Sequence, residues 1–233
     1  MTSDRNGTVR TRWWWVRHAP VRSDGGRIYG QADLSCDCRD THVFDALARV
    51  LPSGALWFSS HLARTRETMQ AIWAADDVAP AGPPREIRDF AEQHLGAWQG
   101  LDRAGFFASR PENPGSYWFG PAEERPPGGE SFVDLFERTR AGIGRLGPEC
   151  RGRDVVAVAH GGTIRAALAV ALGIAPQGAL AFAIENCSVT RLDHIETEGG
   201  SGWRVVMVNH QPWAALDARV PGQPSGPELA LQG

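Results

Sequence analysis

Val155-Val156-Ala157-Val158-Ala159-His160-Gly161-Gly162-Thr163-Ile164-Arg165 is the stretch on which the reading of the fold turns. Five small or β-branched apolar residues in succession, with no polar alternation, describe a strand covered on both faces. The run ends at His160, the turn Gly161-Gly162 follows, and Thr163 to Leu172 has helical character. Strand, glycine turn and helix in that order aim backbone N–H groups at an anion.

On the N-terminal side of this stretch, Ser131 opens a helix through about Leu146. On the other side, Ser188–Ile195 and Trp203–Val208 read as two strands of an antiparallel hairpin around a Glu-Gly-Gly-Ser-Gly turn. Near the start, Trp13-Trp14-Trp15-Val16 is a short central strand that stops at Arg17-His18. Three adjacent tryptophans point to both faces of such a strand, so they are expected to pack the core rather than bind a ligand. The loop Ala19–Ser35 leads to a helix that begins at Asp40 or Thr41 and runs to about Val50. Pro52 and Gly54 break it, Ala55–Phe58 forms a second strand, and His61–Ala75 is helical. Arg85–Phe90 is expected as a third strand, at an edge because of its charges. Residues 101–130 hold many prolines and glycines with Phe106, Phe107, Tyr117, Trp118 and Phe119. That stretch is either a lid with aromatic walls or an excursion whose rings dock on the body. The tail, 221–233, is expected to be mobile. Strands alternating with helices, then a hairpin, give an α/β fold: a three-layer α/β/α sandwich with a mostly parallel mixed sheet. A chain of 233 residues accommodates one substantial core, so 1–233 is read as a single domain with its body at about 12–210.

Composition removes several chemistries. All 24 Lys+Arg residues are arginine, so Schiff bases, a pyridoxal anchor, a Walker A loop and a Ser-Lys dyad lack their essential residue. Planar arginine forks for phosphate or carboxylate remain. The four cysteines, Cys36, Cys38, Cys150 and Cys187, include one C-x-C pair without a second close pair, and are read as free thiols. No metal and no cofactor is expected, for no H-E-x-x-H or comparable ligand cluster is present. A net charge of -3 gives no general attraction to nucleic acid or acidic lipid. No stretch approaches the ~20 apolar residues of a membrane span. Met1–Arg12 lacks an apolar signal core, so the cytoplasm is the expected compartment.

Two strand ends carry histidines, His18 after Arg17 and His160 before Gly161. In open α/β sheets functional groups gather at the C-terminal ends of strands, so the two can be neighbours. Val16-Arg17-His18-Ala19, Ser59-Ser60-His61-Leu62-Ala63-Arg64-Thr65-Arg66-Glu67-Thr68, Glu92-Gln93-His94-Leu95-Gly96-Ala97-Trp98-Gln99-Gly100 and Ala159-His160-Gly161-Gly162, in that order, resemble the histidine phosphatase superfamily, the phosphoglycerate-mutase-like group. The resemblance implies that His18 is a nucleophile that becomes phosphorylated. It implies that Arg17 and Arg64 hold phosphoryl oxygens, His160 completes the pocket and Glu92 serves as general acid and base. Gly161, at the helix start, would add backbone stabilisation of the anion. The implied partner is a small-molecule phosphate ester, hydrolysed as a phosphomonoester; the sequence does not give the oligomeric state.

The chain departs from the family's pattern at Ala19, where glycine is common, and at His61, where proline is frequent. The Ala19 methyl group is expected to have a modest effect, and Gln99, which stands where the Trp-Glu-Gly version of the third motif has its acid, leaves the role implied for Glu92 in place. His61 is expected at the rim, and Arg66 to face away from Arg64. Arg22 and the Tyr29-Gly30-Gln31 segment form a candidate wall of the pocket, with Trp118 a candidate substrate contact. The Tyr-Gly-Gln-x-Asp pattern resembles phosphatases of cobalamin nucleotide-loop assembly, which implies α-ribazole phosphate as a substrate. Two alternatives stand beside this one: a mutase that returns the phosphoryl group to product, and a catalytically silent phosphate-binding module.

Overall fold

The computed structural model describes residues 7–75, 78–110 and 118–214. The leader Met1–Asn6, Tyr117 and the tail 221–233 lie outside the described residues. Six strands form one sheet: β1 (Val9–Arg17), β2 (Leu56–Ser59), β3 (Arg85–Glu86), β4 (Asp154–Ala159), β5 (Val189–Thr197) and β6 (Gly200–His210). Their spatial order is β3-β2-β4-β1-β5-β6. The β3–β2, β2–β4 and β4–β1 pairings are parallel; β1–β5 and β5–β6 are antiparallel. The mixed, mostly parallel sheet expected from the pattern is therefore present, with β1 inside it.

Alternation along β1 divides the tryptophans between two cores. Trp13 and Trp15 stack 5.6 Å apart on the face covered by α4 (Phe132–Cys150) and α5 (Gly161–Leu172). Trp14 lies on the opposite face with Trp57, beneath α1 (Thr41–Val50) and α2 (Ala63–Trp73). These rings are core packing, as the sequence indicates. A fully buried indole at ~25 cal/mol per Å2 over its ~150–250 Å2 contributes about 4–6 kcal/mol as an upper bound. Two short helices complete the set, α3 (Arg103–Ala108) and α6 (Pro176–Ala179). No helix among the described residues is long and apolar enough to cross a membrane.

Several boundaries differ from the sequence reading, and β1 itself begins at Val9 and not at Trp13. The expected strand Arg85–Phe90 pairs only at Arg85 and Glu86, then tightens into a 3-10 turn over Arg88–Phe90 that buries Phe90 against Trp15. Gly161 and Gly162 are the first helical residues of α5 and not a preceding turn. The β5–β6 connection is the two residues Glu198 and Gly199, because Ser201 and Gly202 still pair with β5. Helix α4 begins at the capping box of Ser131 and Asp134 and runs on to Cys150 through Pro148, its apolar face continuing through Leu146 and Cys150. Within the 101–130 stretch, α3 is capped by the Asp102 side chain accepting from Gly105 N at 2.6 Å.

Candidate active site

Strand register builds the centre of the site. Arg17 pairs with Ala159 across β1 and β4, and His18 N donates to Ala159 O at 3.0 Å, so the next residues of both strands emerge side by side. The His18 and His160 ring centroids are 5.1 Å apart, and both residues are essentially buried. Strand β2 ends one place away, which brings Ser60 Oγ to 2.8 Å from His160 Nε2.

Hydrogen bonds fix both tautomers. His18 Nδ1 faces the Ala19 carbonyl oxygen at 2.7 Å, and a carbonyl only accepts, so Nδ1 carries the proton and Nε2 keeps its lone pair. Arg64 Nε donates to His160 Nδ1 at 3.3 Å; His160 therefore holds its hydrogen on Nε2 and gives it to Ser60 Oγ. Burial, then the charges of Arg64 and Arg17, hold the His18 imidazole well below its ordinary titration range. Burial, with Arg64 foremost among the charges, does the same to His160. Both imidazoles are neutral near pH 7.

The arginines differ in how far they are committed. Arg64 is fully buried, and three of its five N–H donors go to His160 Nδ1, Ala32 O (2.8 Å) and Gly30 O (2.7 Å). It thereby ties the 29–32 loop to the histidines. Arg17 NH1 donates to Ile184 O at 2.5 Å, while its buried Nε has no hydrogen-bond partner among the described residues. A buried guanidinium N–H without an acceptor costs free energy unless an anion supplies one. Gly161 lies beside it: a Cβ placed there would be 3.6 Å from Arg17 Nε.

Glu92 closes the opposite wall. Its carboxylate accepts from Gln93 N at 2.9 Å and from Gly162 N, at the start of α5, at 3.3 Å. A Cβ on Gly162 would stand 2.3 Å from Glu92 Oε1, so glycine is required for this approach. The Glu92 carbonyl is held by Gln31 Nε2 (2.7 Å) and Arg138 (2.8 Å). Arg17 and Glu92 line a cleft of about 330 Å3 together with Tyr29, Arg103, Trp118 and Phe119.

The remaining sequence candidates separate. Tyr29, Gly30 and Trp118 line the cleft. Gln31 lies behind it, its side chain donating to the Glu92 carbonyl and its backbone N donating to Gln99 Oε1. Arg22 points elsewhere, exposed and paired with Asp37 at 2.9 Å. Arg66 turns outward to Glu86 and the His61 carbonyl, and His61 is half-buried. Of the aromatics, Trp118 and Phe119 face the cleft, whereas Phe106 and Phe107 pack on Trp98 and Phe119.

Three residues escaped the sequence reading. Arg165 follows Gly161 by four positions on one helix face, a spacing that was available as a signal. Its guanidinium lies 4.8 Å over Trp118, and burial lowers its pKa to about 10. Asn186 donates from Nδ2 to the His18 carbonyl at 2.8 Å. Arg138 gathers the Asp89, Ala91 and Glu92 carbonyls. No local motif in the sequence marks these two.

Comparison with known proteins adds the following. The profile of the histidine phosphatase superfamily (branch 1) matches residues 13–211. A glucosyl-3-phosphoglycerate phosphatase of Mycobacterium tuberculosis is 45% identical over 158 residues, covering 64% of this chain and 68% of that one. A 2,3-bisphosphoglycerate-dependent phosphoglycerate mutase of Gloeobacter violaceus is 35% identical over 142 residues, 60% of this chain and 64% of the mutase's length. The solved mycobacterial glucosyl-3-phosphoglycerate phosphatase complex with inorganic phosphate superposes with a TM-score of 0.69 at 30% identity, covering 87% of this chain and 99% of that one. The α-ribazole phosphatase of Shigella flexneri shares the fold, with a TM-score of 0.67 at 20% identity over 86% of this chain and 96% of its own.

Proposed function

The chain belongs to the histidine phosphatase superfamily, and from that premise we propose that it is a phosphomonoesterase working through a phosphohistidine on His18. The observation that carries the reading is the neutral, buried His18 imidazole, with Nδ1–H locked to Ala19 O and Nε2 left as the nucleophile. In the first half-reaction Nε2 bonds to phosphorus while the ester oxygen departs with a proton from Glu92. In the second, water gives its proton to Glu92, its oxygen bonds to phosphorus, and the N–P bond breaks to release phosphate. Arg17, with its unpartnered Nε, and Arg64 supply charge for the equatorial oxygens. Backbone N–H groups at the start of α5 add to them. The neutral His160 stands between Arg64 and Ser60 and holds that guanidinium in place.

Hydrolysis is favoured over mutase transfer by the cover of the cleft. Tyr29, Trp118 and Phe119 form apolar walls, and Arg103 is already engaged by Asp24 at 2.6 Å. The substrate class that fits is a phosphate ester with a ring or sugar substituent large enough to contact those rings. Glucosyl-3-phosphoglycerate, the substrate named for the 45% identical relative, is the first candidate, and α-ribazole phosphate the second. A panel containing both, with 3-phosphoglycerate and an aryl phosphate, read by phosphate release and run against His18→Ala, tests the proposal. The expected result is activity lost in the variant and an acid-labile phosphate on the His18 peptide. Transfer of phosphate between positions of phosphoglycerate without release would favour the mutase. Turnover undiminished in His18→Ala would end the proposal.

A further inference from the structure

Behind the nucleophile lies a pair of thiols that the proposed reaction does not use. Cys36 and Cys38 stand with their Sγ atoms 3.4 Å apart, on a segment, 32–40, that forms neither helix nor strand. Both are partly exposed and open onto a groove of about 350 Å3, which Arg22, Ser35, Asp37 and Arg39 also line. A short chain of hydrogen bonds leads from them to His18. Cys36 Sγ donates to Arg64 O at 3.3 Å and lies 3.5 Å from Thr68 Oγ1. Thr68 Oγ1 donates to the same Arg64 carbonyl at 2.7 Å and accepts from Ala19 N at 2.8 Å. Ala19 O is the acceptor that sets the His18 tautomer.

We propose that Cys36 and Cys38 are a modification site for hydroperoxides: oxidation closes a Cys36–Cys38 disulfide and, through Thr68, loosens the backbone that orients His18. The step balances in two stages. The Cys36 thiolate attacks one peroxide oxygen, the O–O bond breaks, and hydroxide leaves, giving a sulfenic acid on Cys36. Cys38 sulfur then attacks the Cys36 sulfur and expels hydroxide, which takes the Cys38 proton; the first hydroxide takes the proton that Cys36 lost on becoming a thiolate, so hydrogen peroxide and the two thiols give the disulfide and two waters. Geometry favours Cys36 as the attacking sulfur, because the Cys38 S–H, 3.4 Å away, can donate to it when it is charged. Hydrogen bonding from Cys38 is the first cause that lowers its pKa, and the same shared proton pushes Cys38 upward. Closing the bond shortens the sulfur separation from 3.4 Å to ~2.05 Å and removes the Cys36 S–H donor from the Arg64 carbonyl.

The chemical arm of the test needs no enzymatic activity, and only the kinetic arm rests on the phosphatase reading. Tryptic peptide Ile28–Arg39 carries Cys36 and Cys38 and neither Cys150, Cys187 nor any methionine. After mild hydrogen peroxide, alkylation and digestion of the whole chain, that peptide is expected to lose two hydrogens and to escape alkylation. A reductant should restore it. In Cys38→Ser the same treatment should stop at a sulfenic acid on Cys36 that dimedone traps. Phosphate release should fall several-fold in oxidised wild type, mostly in kcat, recover with reductant, and stay insensitive to peroxide in Cys36→Ser. Oxidation appearing first at Met69 or Met207, or a crosslink from Cys36 to the Cys187 peptide, would overturn the site. A Cys36–Cys38 disulfide that leaves kcat unchanged in an active enzyme would overturn its coupling to His18.

Discussion

At the residue scale, the decisive feature is a pair of imidazoles kept uncharged among arginines. Near neutral pH the folded state binds fewer protons at His18 and His160 than the unfolded chain does once the pH falls below their ordinary value of 6.5. Stability is then lost as the pH drops through 6.5 and goes on falling down to the depressed folded values, with a slope of about 1.4 kcal/mol per pH unit for each group. Thermal unfolding between pH 7 and 5, without phosphate, should show this loss, and His18→Ala should flatten it; an unchanged slope would mean that His18 protonates freely in the folded protein. Glu92 carries a second prediction. If it protonates the leaving oxygen, Glu92→Gln should lower kcat/KM on an alkyl or sugar phosphate by about 10²–10⁴-fold and spare kcat/KM on an aryl phosphate, whose oxygen leaves unaided, because the later attack of water does not enter kcat/KM. Equal losses on both would assign Glu92 to another task. Arg17, His18, Arg64, Glu92 and His160 stood out in the sequence because short motifs frame them. Arg138 and Asn186 did not, since their roles arise from long-range contacts to backbone carbonyls that any arginine or asparagine satisfies once the fold has brought it there.

At the scale of elements, two helices hold the carboxylate. Helix α5 presents Gly162 N to it, and α4 sends Arg138 across to Asp89 O, Ala91 O and Glu92 O while pairing with Glu130 at 2.6 Å. The 89–92 segment has no ladder of its own after the two residues of β3, so Arg138 supplies its carbonyls with the N–H donors that a neighbouring strand would have supplied. The sequence reading carries that strand on to Phe90, at an edge because of its charges; the demand to bury Phe90 against Trp13 and Trp15 ends the pairing at Glu86. Arg138→Met keeps most of the packing and removes the donors. It should lower kcat on an alkyl phosphate by on the order of 10²-fold with little change in KM, since a displacement of about 1 Å is enough for that. Gly162→Ala tests the other helix. Its Cβ would meet Glu92 Oε1 at 2.3 Å and Leu135 at 2.8 Å, so a loss of about 1–3 kcal/mol in chemical denaturation should accompany the kinetic defect.

At the scale of the whole molecule, sheet order brings three of the four separated motifs together, and Arg138 and Gly162 hold the fourth, at Glu92, beside them. β1 and β4 lie side by side and parallel, with β2 next to β4, so the chain's 18, 60 and 160 positions meet at one sheet edge. This much was legible, because an uninterrupted apolar run such as Val155–Ala159 has to lie inside a sheet covered on both faces, and both strands end in histidine. The 101–130 stretch was less so: among its described residues Phe106 and Phe107 serve Trp98 and Phe119, while Trp118 and Phe119 turn to the cleft, a division that composition alone cannot make. Under the proposed function, a site assembled from strand ends, with the buried Arg17 Nε lacking an acceptor among the described residues, is prepared for its anion before any ester arrives. Inorganic phosphate should therefore stabilise the entire fold. At a hundred times its Kd the gain is about 2.7 kcal/mol, which for a chain of this size raises Tm by about 5–10 °C. The rise should persist in a chelator, since the arginines carry the charge in this reading, and it should shrink strongly in Arg17→Met, which preserves the β1 packing. A shift that requires a divalent ion, or one that survives Arg17→Met in full, would place the anion, and with it the chemistry, somewhere other than at His18.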